Sequence, residues 1–152
     1  MIVAEAMRGI VRNPVFVATF GAWLLAQIVK VPIERARTGR TNWALLTSAG
    51  GMPSSHAALV WALAMAVGLQ EGFQSSLFAA VFVLALVVSY DAAGIRRAAG
   101  RHAKMINRMI DELAHGHPLR EEQLKELLGH SPLEVLAGAL FGMVVAWAIV
   151  RV

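Results

Sequence analysis

The sequence contains no cysteine, which excludes disulfides, thiolate nucleophiles and cysteine-ligated metal sites. Charged residues are also scarce, because they make up 16% of the 152 residues whereas 57% are hydrophobic, and the mean hydropathy is +0.59. No Pro/Ser-rich linker and no internal repeat divides the chain. Since an ordinary soluble domain of this size is less apolar, we predict a single integral membrane domain over residues 1–152.

The sequence offers little that would favour nucleic acid as a partner, although its formal net charge is +4. Its basic residues flank apolar segments and are not interleaved with aromatic residues, as they would be on a nucleic-acid-binding surface. We therefore predict no nucleic acid partner. Membrane phospholipids with anionic headgroups fit this arrangement of charge better.

Long apolar runs predict an all-α, polytopic membrane helix bundle with about four transmembrane helices. Each run is close to the lower end of the roughly 17 to 25 residues that a membrane span requires. The runs cover 14–31, 57–70, 73–90 and 135–150. Asn13 provides a cap and Pro14 a first-turn proline for the first of them.

Two further helices are predicted at the membrane surface. Residues 2–12 carry apolar and charged residues at helical spacing, which is typical of a short N-terminal interfacial helix. Residues 95–113 predict a cytoplasmic amphipathic helix with an apolar stripe. The stripe consists of Ile95, Ala99, His102, Ile106, Met109 and Leu113. Taken alone, His102 on this stripe is most simply a core histidine satisfied by a hydrogen bond.

The distribution of charge predicts which side of the membrane each loop occupies. Four crossings place residues 30–53 and 91–131 on one side. Of the 14 lysines and arginines, only Arg8, Arg12 and Arg151 lie on the other side. By the positive-inside rule, the side that holds residues 30–53 and 91–131 is cytoplasmic.

Three sequence clusters meet at this predicted edge of the membrane: Lys30-x6-Arg37, Pro53-Ser54-Ser55-His56 and Arg96-x5-His102. Phosphoryl transfer requires cations on the phosphate oxygens, a nucleophile in line and an acid for the leaving oxygen. The lysine and the two arginines could neutralise the oxygens. The helix that opens after Pro53 would add backbone N–H groups from Ser54, Ser55 and His56, with the positive end of its dipole behind them.

The histidines of these clusters could provide the nucleophile and the acid, because imidazole ionises near neutral pH. This scheme requires no metal and no cofactor. Three other histidines, His115, His117 and His130, are more typical of a solvated loop than of a metal site. Each cluster also has a structural interpretation: Lys30 could snorkel from a helix end, the arginines could bind lipid headgroups, and Pro-Ser-Ser could simply begin a helix.

These clusters resemble the motifs of the type-2 phosphatidic acid phosphatases, a family similar in its site to the vanadium haloperoxidases. The family pattern is K-x6-R-P, then P-S-G-H, then S-R-x5-H-x3-D. The sequence departs from this pattern at Thr38, Ser55, Ile95 and Ile106. The phrases at 51–56, 90–97 and 128–134 look more like a divergent branch of small bacterial members, and the resemblance extends from Val15 onward.

The resemblance implies a metal-independent lipid phosphate phosphatase of the bacterial inner membrane that acts through a phosphohistidine intermediate. It implies His102 as nucleophile, His56 as general acid, and Lys30, Arg37, Arg96 and Ser54 as phosphate ligands. Ile106 stands where the family has an aspartate that orients the nucleophile. Asp91, at the cytoplasmic end of the third crossing, is the nearest substitute for that aspartate, and an ion pair with Arg96 is an equal alternative.

Two other functions remain compatible with the sequence. A non-catalytic membrane protein could use the same pocket to bind or move a phospholipid, and Ile106 favours this alternative. A small assembly subunit could form a homodimer through Gly138-x3-Gly142, because this spacing allows close contact between helices.

Overall fold

The computed structural model describes residues 2–48, 50–114 and 131–151, and the side chains at 2, 6, 94–104 and 111–114 lie outside this description. The described residues form five α-helices and one 3₁₀ turn, with no strand among them. These elements are α1 (Ile2–Arg12), α2 (Pro14–Thr38), the 3₁₀ turn (Trp43–Leu46), α3 (Ser55–Glu71), α4 (Ser76–Ala114) and α5 (Pro132–Arg151). The predicted all-α fold is confirmed.

Helix α3 lies at the centre of the bundle, where it packs against α2, α4 and α5. The Ser54 N–H before α3 donates to the Glu134 carbonyl in the first turn of α5, with an N···O distance of 3.0 Å. Because the two helices start side by side, α3 and α5 run parallel. Lys30, in the second half of α2, contacts Ser55, so α2 runs in the opposite direction.

The bundle has small residues inside and large apolar residues outside. One buried cluster joins α2, α3 and α5 and consists of Ala18, Ala22, Ala62, Ala66 and Ala146. By contrast, Ile28, Leu84 and Trp147 are between 47% and 50% exposed. Small residues let helices approach closely, whereas such an extensive apolar exterior requires a lipid environment.

Three described helical segments are long and apolar enough to cross a membrane: α2, the Ser76–Ala93 part of α4, and α5. The fourth predicted crossing is α3, which has 17 residues. Its length is at the lower limit of about 17 residues for a span. It carries no charge between Ser55 and Gln70, and its position among the other three helices fits a multi-pass membrane bundle.

A capping residue at each end sets the limits of α2. Asn13 Oδ1 accepts hydrogen bonds from the N–H groups of Val15 at 2.9 Å and Phe16 at 3.2 Å, which confirms the predicted cap. The helix continues past the predicted end at residue 31 as far as Thr38. There Gly39 adopts a φ of 73°, which glycine tolerates best, and terminates the helix.

Helix α4 combines two elements that the sequence analysis predicted separately. It starts at Ser76 rather than at Phe73 and runs without interruption to Ala114. No proline lies within it, and an interior glycine such as Gly94 costs only about 1 kcal/mol, which is too little to end a helix. The ring of Phe73 lies in the preceding turn, against Gly68.

Ile106 and Met109, the two members of the predicted apolar stripe of residues 95–113 whose side chains are described, do not face the core of the bundle. Ile106 and Met109 are 43% and 54% exposed, whereas Asn107 is only 7% exposed. Asn107 lies about six turns beyond the core residue Ala85 and within roughly 40° of the same helix face. Because α4 is continuous, the packing of its transmembrane half on α3 sets the orientation of the second half as well.

Gly138 and Gly142 confirm the predicted close helix contact but not the predicted partner. Both glycines are buried against α3 of the same chain. A Cβ atom at Gly138 would collide with the Ser54 carbonyl oxygen, and one at Gly142 would collide with the Ala58 carbonyl oxygen. The contact is therefore intramolecular in this structure, and the homodimer through these two positions stays a prediction.

Candidate phosphate site

Lys30 is fully buried, with 0% exposure, on the face of α2 that meets the start of α3. Its Nζ donates to the Ser48 carbonyl oxygen at 3.0 Å and to Ser55 Oγ at 3.3 Å. A lysine that snorkels toward the surface would expose its ammonium group, so that interpretation is wrong here. A buried cation inside a membrane domain is costly and marks a candidate site.

Ser54 and Ser55 begin α3, as predicted, and both are buried. Ser54 Oγ caps the helix by accepting the Ala57 N–H at 3.4 Å. The Ser54 N–H, predicted to face a phosphate, is already used by the Glu134 carbonyl. Ser55 Oγ faces the Lys30 ammonium, so the positive end of the α3 dipole and a buried cation share one corner of the bundle.

The first turn of α5 holds this corner in place. Glu134 Oε2 accepts the Ser131 N–H at 2.9 Å, and Ser131 Oγ accepts the Glu134 N–H at 3.3 Å. This reciprocal pair is a capping box, which fixes the start of the helix. The Glu134 carbonyl is consequently well placed to hold the backbone of Ser54.

The loop between α2 and α3 passes directly over the stem of Lys30. Gly51 has a φ of 91°, and a Cβ atom there would lie 3.6 Å from Lys30 Cδ and 3.4 Å from Leu45 Cδ2. A residue with a side chain is strained at this φ. Glycine therefore allows the loop backbone to cover the lysine.

Arg37 lies on the same side of α2 as Lys30, because the helix extends to Thr38. The K-x6-R spacing corresponds to about two helical turns, so the two residues project from nearly one face, roughly 10 Å apart along the axis. Arg37 is exposed whereas Lys30 is buried. The spacing therefore places one cation inside the bundle and a second one above it.

For the remaining predicted site residues, the structure gives the position within a helix and, for His56 and Asp91, the exposure of the side chain. His56 directly follows Ser55 in the first turn of α3 and is exposed. Arg96 and His102 lie within α4, but their side chains are outside the described ones. Asp91 is exposed on the same helix.

The continuous course of α4 corrects the role predicted for Asp91. Residues 91 and 102 of one α-helix are about 16 Å apart along its axis. That separation is far beyond the reach of a hydrogen bond between an aspartate and a histidine. Asp91 therefore cannot replace the aspartate missing at Ile106 as the direct partner of His102.

The chain matches a known protein family over most of its length. The sequence profile of the Divergent PAP2 family matches residues 11–145. The chain belongs to the Divergent PAP2 family. It is similar to the uncharacterized membrane protein YuiD of Bacillus subtilis (strain 168), with 41% identity over 83% of this chain and 87% of that protein. No solved structure matches it. The resemblance to a divergent branch of the type-2 phosphatidic acid phosphatases is confirmed.

Gln27 is a buried polar residue of this Divergent PAP2 family member that the sequence did not lead us to predict as part of the site. Gln27 lies one turn before Lys30, is 9% exposed, and donates from Nε2 to the Leu46 carbonyl at 3.3 Å. Its Oε1 is buried without a partner among the described residues. An amide within an apolar span was the available signal, because polar side chains inside a membrane usually have a specific role.

Within residues 2–48, 50–114 and 131–151, no group of three histidine, aspartate or glutamate side chains could hold a metal ion. His115, His117 and His130 lie outside these ranges. In the described corner an ammonium group, a hydroxyl and a helix N-terminus converge, a combination that could accommodate an anion.

Proposed function

We propose that this Divergent PAP2 family member is a metal-independent lipid phosphate phosphatase that works at the cytoplasmic membrane surface. The observation that carries the proposal is the 3.3 Å contact between Lys30 Nζ and Ser55 Oγ, which joins the first two motifs in a buried cationic corner. A phosphate group suits this combination of ammonium, hydroxyl and helix N-terminus. The surrounding apolar helix faces favour a phosphate that is carried on a lipid.

The proposed reaction has two steps. A ring nitrogen of His102 attacks phosphorus, the bond from phosphorus to the lipid oxygen breaks, and the imidazolium of His56 protonates the departing alkoxide. Water then attacks the phosphohistidine, and His56, now neutral, accepts a proton from that water. The products are a lipid alcohol and inorganic phosphate. Lys30, Arg37 and Arg96 neutralise the phosphate oxygens during both steps.

The burial pattern around Lys30 supports a lipid substrate over a soluble one. Lys30 and Ser55 are buried, whereas His56 and Arg37 are exposed at the same end of the bundle. A headgroup phosphate could enter from the exposed side and reach the buried ammonium. Its acyl chains would remain in the bilayer, against the exposed apolar faces of the helices.

A second candidate function is a protein that binds or moves a lipid phosphate without hydrolysing it. Two positions favour it: Ile106 stands where the family has the aspartate that orients the nucleophile, and Asp91 is about 16 Å from His102 along the helix. A histidine without such a partner is a weaker nucleophile. Phosphate binding does not require that partner.

Phosphate release from lipids tests the proposal. Purified protein in liposomes would be incubated with phosphatidic acid, phosphatidylglycerophosphate or a polyprenyl phosphate, in the presence of a metal chelator. We expect release by the native protein and by His115→Ala, which changes a histidine outside the three clusters. We expect none by His56→Ala or His102→Ala.

Two outcomes would reject hydrolysis as the function. The first is no release from any of the three lipids by protein with native helix content. The second is equal release by the native protein and both cluster variants. If vanadate still binds in the first case, with competition by phosphate, the non-catalytic function replaces the phosphatase.

A further inference from the structure

A groove separate from the phosphate corner lies between α2 and the 3₁₀ turn. It has a volume of about 500 Å³, within the roughly 300 to 1,000 Å³ typical of ligand sites. Its inner part is apolar, with Ile28, Val31 and Leu46 among the lining side chains. Arg35 and Thr41 supply its polar groups. The groove therefore has an apolar part and a cationic part.

Near the end of α2, the groove extends from the level of the lipid headgroups into one leaflet of the membrane. Arg35 lies about 31 Å along the helix axis from Pro14, which is close to the roughly 30 Å thickness of the bilayer's hydrocarbon core. Ile28 lies about 10 Å deeper than Arg35. The cationic part is thus at headgroup level, and the apolar part is at the level of the first acyl carbons. Trp43, which is 69% exposed beside the groove, is of the residue type that favours this boundary.

Two buried side chains of α2 hold the outer wall of the groove. Gln27 Nε2 donates to the Leu46 carbonyl at 3.3 Å, and Lys30 Nζ donates to the Ser48 carbonyl at 3.0 Å. Leu46 lines the groove, and its carbonyl oxygen accepts the hydrogen bond from Gln27. The wall is therefore fixed before a ligand arrives, which lowers the entropy cost of binding.

We propose that this groove binds one phospholipid with an anionic headgroup. Arg35 donates to the headgroup phosphate in the charge-assisted geometry that a guanidinium favours, and the Thr41 hydroxyl adds a hydrogen bond. One acyl chain lies along Ile28, Val31 and Leu46. The cationic group at headgroup level and the apolar surface directly beneath it match the two halves of such a lipid.

The lipid groove is distinct from the corner that contains Lys30. Arg35 and Lys30 project about 140° apart around α2. The segment from Leu46 to Ser48 is bonded to the Gln27 and Lys30 side of the helix, and the Leu46 side chain faces the groove. A lipid in the groove would therefore pack against the same wall that covers Lys30 without occupying the phosphate corner.

Native mass spectrometry of the purified chain, extracted in a mild detergent with phosphatidylglycerol or phosphatidylcholine, tests this assignment. We expect the native protein to retain one phosphatidylglycerol and to retain phosphatidylcholine about tenfold less, because both lipids carry the phosphate but the choline cation neutralises the headgroup and repels the Arg35 guanidinium. Arg35→Gln should lower phosphatidylglycerol retention by about tenfold. Arg40→Gln, which removes an exposed arginine from the loop after α2 that does not line the groove, should not.

A second pair of variants tests the apolar half and does not depend on Arg35. Ile28→Trp should fill the groove and lower retention of phosphatidylglycerol, whereas Leu24→Trp, one turn away and outside the groove, should leave it unchanged. Circular dichroism would confirm native helix content for each variant. Equal retention of the two lipids by native protein, or equal retention of phosphatidylglycerol by Arg35→Gln and Arg40→Gln, would overturn the proposal in favour of non-specific surface lipid.

Discussion

Lys30 Nζ lies 3.3 Å from Ser55 Oγ, so a buried ammonium group in α2 contacts the first residue of α3. This contact is formed in the interior, where Lys30 is 0% and Ser55 is 1% exposed. Membrane proteins rarely bury a lysine without a use for its charge. Substitutions at Lys30 and at the residues that position it can show what this charge does.

Lys30→Met should separate binding from stability. The variant removes the buried ammonium but keeps an unbranched apolar side chain, so the recovered desolvation energy offsets the loss of hydrogen bonds such as those to Ser48 and Ser55. We expect native helix content and a similar thermal midpoint, with vanadate affinity lowered at least about tenfold. Isothermal titration calorimetry and thermal unfolding would measure the two effects. Unchanged vanadate affinity would show that the lysine is structural, and Arg40→Met provides a control for charge alone.

Ser54→Ala and Ser55→Ala should have different effects, although they are adjacent serines. Ser54 Oγ caps α3, and loss of such a cap costs about 1 kcal/mol of unfolding free energy. Ser55 Oγ instead faces Lys30, so its loss should weaken vanadate binding with a smaller change in stability. Chemical denaturation and vanadate titration of both variants would test this. Equal changes in unfolding free energy and in vanadate affinity for the two variants would contradict these separate roles.

Gly51→Ala should disturb the cover over Lys30. The glycine has a φ of 91°, where an L-residue costs about 1 to 2 kcal/mol. Its new methyl group would also contact the Lys30 stem. We expect lower thermal stability and weaker vanadate binding. Gly50→Ala serves as the control, because its φ is not in the left-handed region and the nearest atom is 3.6 Å away.

Gly142→Ala should destabilise the helix bundle and leave the oligomeric state of the protein unchanged. The added methyl group would collide with the Ala58 backbone of α3, which cannot move aside as a flexible side chain would. Overpacking of this kind typically costs about 1 to 3 kcal/mol. Thermal unfolding and mass photometry would measure stability and assembly. A change in assembly alone would support the predicted homodimer, and Gly9→Ala, with open space around it, is the matched control.

The sequence predicted the helices well because their signals are local. Asn13 caps α2, Ser54 caps α3, and the break after Glu71 lies where it was predicted. Apolar composition alone predicted the membrane class. By contrast, the division of α4 into two helices was wrong, because a change from uncharged to amphipathic sequence does not itself end a helix.

The candidate site was harder to predict from the sequence, because the contacts between its residues depend on how the helices pack. The hydropathy pattern predicted that Lys30 and the start of α3 would lie at the same edge of the membrane domain, and the two are in contact. It could not predict that the Ser54 N–H is used by Glu134, since that bond arises from the parallel contact of α3 with α5. Nor could it predict the separation of Asp91 from His102, which depends on the unbroken course of α4.

A crystal structure of the native protein with bound vanadate is the most direct test of the phosphate corner. The account predicts vanadate oxygens at about 2.7 to 2.9 Å from Lys30 Nζ, with Ser55 Oγ also in contact and the anion at the N-terminus of α3. Vanadate bound elsewhere, with no contact to Lys30 Nζ, would contradict it.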